Sequence, residues 1–397
     1  MRVSTQAFFN NSIANLQRLQ TGLTDIQEQI ATGRRIQRPS DDPVAAARLL
    51  DYRQSVETID QYQRNTSLAE SRLQLEEQTL TNYTNLLQRA RELTLQAANA
   101  TQDQQTRGFI AEELRQSVLE ALSLANTRDA TDEYLFSGFQ TGTQPYTRSG
   151  DTFTYNGDQG QRVVQVSASR QLADSDPGDA IFGRIREGNG QLLATSDAAN
   201  TGTGVILNDS ASDVPGYAYE RYAISFTATD AYEVRDDGGV LVTSGSYTDG
   251  DSITFNGISV SIEGAPAIGD NFAVDPSPNT DVFSALTNLA IALENGTDNP
   301  ASRATTDNSI NRGLNALDQS IDKVLTARTA IGARLSVAET QLDINAGTKL
   351  VLQSSLADIE DLDYAAAISS LAQQSSALEA AQQSFIRVQS LSLFNFL

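Results

Sequence analysis

The sequence predicts an α+β protein, in which both chain ends form a long antiparallel helical bundle or coiled coil around an inserted, mainly antiparallel β domain. Two observations predict the helices: apolar residues recur at heptad spacing near the start of the chain, and they do so again near its end. A third predicts the β domain, because the central region is rich in Gly, Asp, Thr, Val and Tyr and holds short alternating runs between turn dipeptides.

The first helix follows from intervals of three and four residues between its apolar positions, which are Leu16, Leu19, Leu23, Ile26 and Ile30. This spacing is typical of a coiled-coil seam about two heptads long. A second helical region is predicted from about Val44 through Leu95. A third helix is indicated by the apolar residues Ile110, Leu114, Val118 and Leu122.

The central region reads as strands and hairpins. The runs "AISFTA", "SITFNGISVSIEG" and "DNFAVDP" alternate as strands do, and Asp237-Gly238-Gly239 marks a hairpin turn. We expect this β region to divide into two parts near Ser210–Pro215. Residues 151–298 hold 22 acidic and 6 basic residues, whereas the rest of the chain holds 28 and 22. The middle is therefore predicted to be a separate, well-solvated unit.

Helix returns at "DVFSALTNLAIALENG", with Asp281 as a possible N-cap and Gly296 as a C-terminal stop. From Ser302 to Asp361 the heptad pattern is the most regular in the chain. Arg328 keeps the spacing but is charged, whereas the other residues of the pattern are apolar. Such a helix is roughly 90 Å long and must be a rod packed on other helices. Its seam comprises Ile310, Leu314, Leu317, Ile321, Val324, Ile331, Leu335, Ala338 and Leu342.

The last segment carries a second seam and an apolar ending, "SLSLFNFL". Periodicity alone leaves open whether the end seams close an intramolecular bundle or meet other subunits. Both seams are narrow and otherwise polar, which favours other subunits because such helices are marginal alone. We therefore predict an assembly interface at the N-terminal seam defined above and at Tyr364, Ile368, Leu371, Leu378, Phe385, Val388, Leu391, Leu393 and Phe394.

These patterns predict three domains. Residues 1–43 and 360–397 form a terminal coiled-coil assembly domain, and residues 44–150 and 280–359 form a helical rod. Residues 151–279 form an acidic, β-rich, surface-exposed insert.

The stretch "ATGRRIQRPSDDPVAA" concentrates glycine, arginine and aspartate and so resembles a phosphate site or an acid–base pair. A joint between helices accounts for it better. Gly33 suits a helix C-terminus, Arg34 and Arg35 suit its negative end, and Asp41, Asp42 and Pro43 suit the start of the next helix, with Ser40 or Asp42 as N-cap. No GxxxxGK[ST] pattern follows a strand here, which argues against a phosphate loop.

Composition excludes most catalytic chemistry. Histidine and cysteine are both absent, which removes Cys/His zinc sites, cysteine nucleophiles and Ser-His-Asp triads. The acidic cluster Asp358–Asp363 lacks the spacing of an EF-hand loop. We expect no enzyme activity, no metal and no cofactor. The net charge of −22 disfavours nucleic acid or an anionic membrane as partner, and neither a membrane span nor a cleaved secretory signal is indicated.

The residues resemble a known family. The first seam with "ATGRRIQRPSDDPVAAA" resembles the N-terminal signature of bacterial flagellins and their relatives, and "IEDLDYAAAISSLAQQSSALEAAQQSFIRVQSLSLFNFL" resembles the C-terminal one. The stretch "YLFSGFQTGTQPY" and the ending "SLSLFNFL" are more similar to hook-associated members than to filament subunits. The resemblance covers roughly residues 1–175 and 280–397.

The resemblance implies a secreted, extracellular structural protein at the junction between flagellar hook and filament. It implies export through the flagellar type III apparatus and then folding of the terminal helices on incorporation. The implied partners are further copies in a ring, hook-associated protein 1 on the hook side, flagellin, and an export chaperone for the C-terminal helix. Two rivals remain: a filament subunit, or a secreted adhesin or carbohydrate-active protein whose activity lies in the β insert.

The resemblance also aligns two charged joints. The opening motif corresponds to the link between inner-tube and outer-shell helices, and Ile359–Tyr364 corresponds to its C-terminal counterpart. Because the joints carry opposite charge, we expect Arg34, Arg35 or Arg38 to pair with Asp358, Glu360, Asp361 or Asp363, within one subunit or across two.

Overall fold

A computed structural model describes residues 5–211 and 220–394, without the side chains of residues 5, 6, 8, 208–211 and 388–394. Contacts divide the chain into two units, Met1–Arg64 with Leu342–Leu397 (unit 1) and Asn65–Gln341 (unit 2). The helices of the described ranges are α1 (Thr5–Thr32), α2 (Pro43–Ala97), α3 (Gln104–Ala125), α4 (Gly178–Ile181), α5 (Val282–Asn295), α6 (Pro300–Glu360) and α7 (Tyr364–Phe394). The predicted α+β class is confirmed.

Strands occupy the region between α3 and α5. They are β1 (Tyr146–Ser149), β2 (Thr152–Tyr155), β3 (Val163–Ser167), β4 (Arg170–Ala173), β5 (Ile185–Arg186), β6 (Leu192–Ser196), β7 (Val205–Ala211), β8 (Tyr222–Ala228), β9 (Ala231–Asp236), β10 (Leu241–Ser246), β11 (Ser252–Phe255), β12 (Ile258–Glu263), β13 (Asn271–Pro276) and β14 (Asn279–Thr280). Every pairing between these strands is antiparallel, in agreement with the predicted topology.

Unit 1 pairs the two chain ends. Helix α1 packs against α7, and the Phe9 and Phe385 ring centroids lie 4.9 Å apart. A Cβ placed on Gly22 would lie 3.0 Å from Oε1 of Gln374. Since positions rising along α1 meet positions falling along α7, the two helices run antiparallel.

Unit 2 is built on a helical core. Helices α2 and α6 run antiparallel in it, because Glu77 pairs with Arg328 and Arg91 with Asp318. The α6 seam predicted from heptad spacing is buried or half-buried at every position. Its one polar member, Arg328, donates to Oε1 of Glu77 at 2.7 Å and 2.9 Å, so a salt bridge replaces apolar packing there.

The first hairpins, β1–β2 and β3–β4, pack their apolar side chains onto this helical core. A ring cluster joins them to the helices: the Tyr146 and Phe283 centroids are 4.9 Å apart, and those of Tyr83 and Phe182 are 4.8 Å apart. Helix α5 begins at the predicted N-cap, where Oδ1 of Asp281 accepts the amide of Ser284 at 2.8 Å.

The later strands form a five-stranded sheet in the order β10-β9-β8-β13-β6 and a three-stranded sheet in the order β11-β12-β7. They enclose one apolar core that includes Leu192, Ile206 and Tyr222. The predicted division near Ser210–Pro215 is therefore wrong, since strands on both sides of that point share one core. Loop-forming composition indicates where a chain turns, but the pairing of β7 with β12 decides which strands belong together.

None of the helices in the described residues is both long and apolar enough to span a lipid bilayer.

Candidate assembly interface and inter-helix joint

Two short segments of unit 1, residues 33–35 and 360–362, are clasped together by their backbones. The amide of Leu362 donates to the carbonyl of Gly33 at 3.0 Å, and the amide of Arg35 donates to that of Glu360 at 2.7 Å. Arg34 and Asp361 form an antiparallel bridge between them. The end of α1 is thereby held to the link between α6 and α7. We call this pair of segments the clasp.

Gly33 is required in the clasp for two reasons. Its φ is +71°, in the left-handed region that residues with a Cβ adopt at a penalty. A Cβ at this position would also lie 2.9 Å from the hydroxyl oxygen of Tyr364. Because Tyr364 is the first residue of α7, this glycine lets the end of α1 approach the start of α7.

Glu360 is the charged centre of the clasp. Its side chain is only 7% exposed, and it accepts Nε of Arg34 at 2.7 Å and Nη2 of Arg53 at 2.8 Å. Both carboxylate oxygens thus face a cation, one from the clasp and one from α2. A carboxylate removed from water needs such partners, so this arrangement can hold the joint in one geometry.

Arg35 binds a carbonyl rather than a carboxylate. Its guanidinium donates to the carbonyl of Ile359 through Nη2 at 2.9 Å and through Nε at 3.2 Å. The orphan carbonyls at the end of a helix favour a cation, and Ile359 lies in the last turn of α6. The backbone of Arg35 is also held, because the side-chain amide of Gln29 donates to the carbonyl of Arg35 at 2.9 Å.

Two aspartates shape the turn that leads into α2. Oδ2 of Asp41 accepts the backbone amides of Arg38 and Gln37 at 2.9 Å and 3.2 Å. These two hydrogen bonds lower the pKa of Asp41, that from Arg38 the more strongly. Asp42 accepts the amide of Ala45 at 3.0 Å and so caps α2, whose first residue is Pro43.

The C-terminal aspartates take different positions. Oδ1 of Asp363 accepts the amides of Ala365 and Ala366 at 3.0 Å and 3.1 Å, which caps α7. Asp361 is exposed and joins the clasp through its backbone. Arg38 forms its ion pair with Glu28, at 3.2 Å, within the first joint. Of the pairings considered from charge alone, the structure forms Arg34 with Glu360 inside one chain.

Two members of the joint were missed in the sequence. Arg53 lies one turn beyond the buried Leu49 on α2, and a charged residue in that row is a signal that an oppositely charged partner exists. Ile36 is 8% exposed and forms a small apolar cluster with Ala45 and Leu49. Ile36 is the one large apolar residue between Ile30 and Val44, and an isolated apolar residue in a polar stretch indicates a buried position.

The two predicted seams face each other in part. All five N-terminal seam residues are half-buried, as are Leu371, Leu378 and Phe385. Tyr364 and Ile368 remain 51% and 55% exposed. The side chains of Val388, Leu391, Leu393 and Phe394 lie outside the described residues.

Unit 1 has little apolar interior of its own. Among its described residues the buried apolar side chains are Ile36, Ala45, Leu49 and Ala367. The exposed large apolar side chains are more numerous, namely Phe9, Ile13, Val44, Leu50, Ile344, Leu350, Val351, Tyr364, Ile368 and Ile386. Four buried against ten exposed is the reverse of the proportion expected of a domain that is stable alone.

Within the described ranges, no group of three or more carboxylates is placed to hold a metal ion. The arrangement offers instead backbone clasps, helix caps and an ion-paired glutamate. These contacts fix helices against one another.

Paired chain ends around an inserted β domain define the class as a flagellin-like axial protein. A family model described as the bacterial flagellin N-terminal helical region matches residues 3–141, and one described as the D2-like domain of flagellar hook-associated protein 1 matches residues 195–276. The chain belongs to the FlgL family, that of flagellar hook-associated protein 3. It is therefore a structural protein of the flagellum.

Three relatives are similar to most or nearly all of this chain. A solved FlgL of Xanthomonas campestris has 34% identity and a TM-score of 0.74, covering 77% of this chain and 99% of that one. A flagellar hook-associated protein-3 of Legionella pneumophila has 28% identity and a TM-score of 0.74, covering 78% and 98%. Flagellar hook-associated protein 3 of Escherichia coli K12 is 26% identical over 395 residues, 99% of each chain.

Proposed function

We propose that this chain is the adaptor between hook and filament of a bacterial flagellum, where it acts without catalysis. Similarity to the hook-associated protein 3 of Escherichia coli over 99% of both chains supports this assignment. The observation that carries it is the composition of unit 1, in which ten large apolar side chains are exposed and four apolar ones are buried. A unit of this kind gains its stability from neighbouring subunits.

The proposed assembly interface consists of the two terminal seams. Its members are Leu16, Leu19, Leu23, Ile26, Ile30, Tyr364, Ile368, Leu371, Leu378, Phe385, Val388, Leu391, Leu393 and Phe394. The exposure of Tyr364 and Ile368 supports this role, because apolar surface left open within one chain is available to another. The proposed joint residues are Gly33, Arg34, Arg35, Asp41, Asp42, Pro43, Asp361 and Asp363.

The proposed mechanism is coupled folding and assembly. The terminal segments lack helical order before incorporation and form α1 and α7 when neighbouring copies cover their apolar positions. The narrow seams support this order of events, since helices with so little buried apolar surface are marginal in isolation.

The partners follow from the same role. Further copies complete a ring, hook-associated protein 1 lies on the hook side, and flagellin lies on the filament side. Before export a flagellar chaperone holds the C-terminal helix, and the protein is then secreted to its extracellular position. Nucleic acid and membrane are not among the partners, in keeping with a net charge of −22.

We also propose a threefold division of labour along the chain. Residues 1–43 and 360–397 assemble, residues 44–150 and 280–359 form the rod, and residues 151–279 form the exposed acidic insert. The excess of acidic residues in the middle of the chain supports solvent exposure of that insert.

The test is the position of the labelled full-length protein on intact flagella. An epitope in the turn at Asp237–Gly239 keeps the termini native, and labelled flagellin in the same cells marks the filament as a control. We expect a single narrow band where the hook meets the filament. Cells lacking the protein should carry hooks without filaments.

A filament subunit is the second candidate, favoured by the match of residues 3–141 to the flagellin N-terminal region. The same labelling separates the two functions. Signal along the whole filament, with copies in the thousands, would establish a filament subunit and reject the adaptor.

A further inference from the structure

Glu76 occupies an unusual position in unit 2. It lies on the inward face of α2 between Leu73 and Leu80, and its exposure is 0%, as is theirs. Oε1 accepts the backbone amide of Asp176 at 3.2 Å. Within the described part of the chain, Oε2 has no hydrogen-bond partner. A carboxyl group is thus buried in an apolar row with one of its two oxygens lacking a hydrogen-bond partner.

The arginines around Glu76 form their ion pairs with other carboxylates, although Nε and Nη2 of the buried Arg72 make no hydrogen bond within the described residues. From α6, Arg334 holds Asp176 with two bonds of 2.9 Å, and Gln161 adds a third of 2.6 Å. Asp176 itself faces Glu76 from the segment before α4. No cation in the described residues forms an ion pair with Glu76.

The other neighbouring cation, Arg72, lies one turn back on the same helix. It forms ion pairs with Asp129 and, at 3.3 Å and 3.8 Å, with Glu133 and Asp174. Arg162 shares the last two carboxylates, at 3.1 Å and 2.6 Å.

The cluster therefore sets five carboxylates against three guanidinium groups. An ionised carboxylate that is buried without its own cation is strongly destabilising, and such groups take up a proton instead. Burial is the main cause that raises the pKa of Glu76 well above its ordinary value, and the negative charge of Asp176 adds to it. The charges of Arg334 and Arg72 and the amide of Asp176 act in the opposite direction but do not outweigh burial.

We propose that Glu76 is a proton-binding site, neutral in the folded chain near pH 7, that couples the seating of residues 174–178 on α2 and α6 to pH. The proton comes from solvent on folding and resides on Oε2, since Oε1 already accepts a hydrogen bond. Loss of this proton puts an unpaired charge beside Asp176 and loosens the contact between that segment and the helices. An unpartnered carboxylic hydroxyl is far less destabilising than an unpartnered carboxylate.

The direction of the pH effect follows from proton linkage. In the unfolded chain Glu76 ionises at the ordinary glutamate pKa, whereas in the folded chain it keeps its proton to higher pH. The folded state then binds more protons, so this contribution to stability is fully present below the unfolded pKa of about 4.3 and is lost as pH rises from there to the folded pKa. Above that value the loss is complete and constant.

The test compares the full-length wild type with Glu76→Gln, which keeps the shape but cannot ionise. Glu120→Gln, at an exposed carboxylate of α3, is the matched control. Urea unfolding between pH 5 and 9 is followed by near-ultraviolet circular dichroism, because Tyr83, Tyr134 and Tyr146 of unit 2 are buried. We expect the folding equilibrium constant of Glu76→Gln relative to wild type to rise about tenfold per pH unit above pH 5, then level off. The control ratio stays constant.

A ratio for Glu76→Gln that does not change with pH would overturn the proposal, because an ionised Glu76 or a purely steric role gives that result. Infrared spectroscopy supplies an independent readout that does not depend on stability. The folded wild type at pH 7 should show the C=O stretching band of a protonated buried carboxyl, and Glu76→Gln should lack it. Absence of that band from the wild type would equally reject a bound proton.

Discussion

Arg34 and Glu360 form an ion pair of 2.7 Å in which the arginine is 58% exposed and the glutamate 7% exposed. The asymmetry decides which partner matters more. An exposed arginine that loses its partner is solvated again, whereas the buried glutamate is left with an unsatisfied oxygen. Arg53 binds the second oxygen, so the carboxylate of Glu360 bridges two cations.

The first prediction concerns this bridge. Glu360→Lys places a third cation between Arg34 and Arg53, and we expect a loss of about 2–3 kcal/mol in the stability of unit 1. Incorporation into flagella, measured by labelling, should fall with it. The triple variant Arg34→Glu, Arg53→Glu, Glu360→Lys reverses every charge and should recover much of the loss.

Asp361→Asn is the control for that experiment, because its exposed side chain is adjacent while its contribution to the clasp is through the backbone. We expect near wild-type incorporation. If Asp361→Asn proves as damaging as Glu360→Lys, charge at the clasp acts through a partner other than Arg34 and Arg53.

The second prediction concerns Gly33. Gly33→Ala forces a Cβ into a left-handed conformation and against the hydroxyl of Tyr364, so we expect about 1–2 kcal/mol of destabilisation. Adding Tyr364→Phe removes the close hydroxyl contact but leaves the backbone penalty, so rescue should be partial. Thermal unfolding followed by far-ultraviolet circular dichroism measures both. Full recovery in the double variant would show that backbone conformation contributes nothing.

The third prediction concerns the C-terminal seam. Leu378→Asp and Phe385→Asp place a charge at half-buried positions of α7, and we expect each to abolish incorporation and motility. Unit 2 should stay folded, as read from the near-ultraviolet signal of its tyrosines. Gln373→Asp introduces the same charge at an exposed position of α7 and should assemble normally. Normal filament growth with Leu378→Asp would exclude this seam from the assembly surface.

The fourth prediction concerns the polar member of the α6 seam. Arg328→Met removes the partner of Glu77, whose Oε2 already lacks a hydrogen bond within the described residues, and should cost about 1–3 kcal/mol. Replacing both residues by Met should return stability close to that of the wild type, since apolar pairs substitute well for such bridges. Urea unfolding of the single and double variants completes a double-mutant cycle. Additive losses would mean that the two side chains are not coupled.

Helices were predictable here because heptad spacing is a local property of the chain. The α6 seam and the caps at Asp281 and Gly296 follow from residues within a few turns of one another, and the structure has them where the spacing puts them. The partner of Arg34 was not predictable in the same way. Charge offered four carboxylates at the second joint, and only the backbone clasp, a contact between distant segments, selects Glu360.

The sequence also contains one signal that heptad spacing does not explain. The apolar row of α2 lacks a residue between Leu73 and Leu80, where the helical repeat requires an inward position. A gap of this kind indicates a buried polar group, and Glu76 fills it. Its charged surroundings come from loops and from α6, so the sequence alone could locate the anomaly but not its partners.

The clasp joins residues that lie far apart in the chain. Arg35 and the carbonyl that it binds at Ile359 are separated by 324 positions in the sequence. Arg34 pairs with the next residue, Glu360. A chain that ends before Glu360, because its synthesis is unfinished or because it is truncated, lacks the residues that close its first joint. The contact that orders these helices therefore depends on synthesis of almost the whole chain.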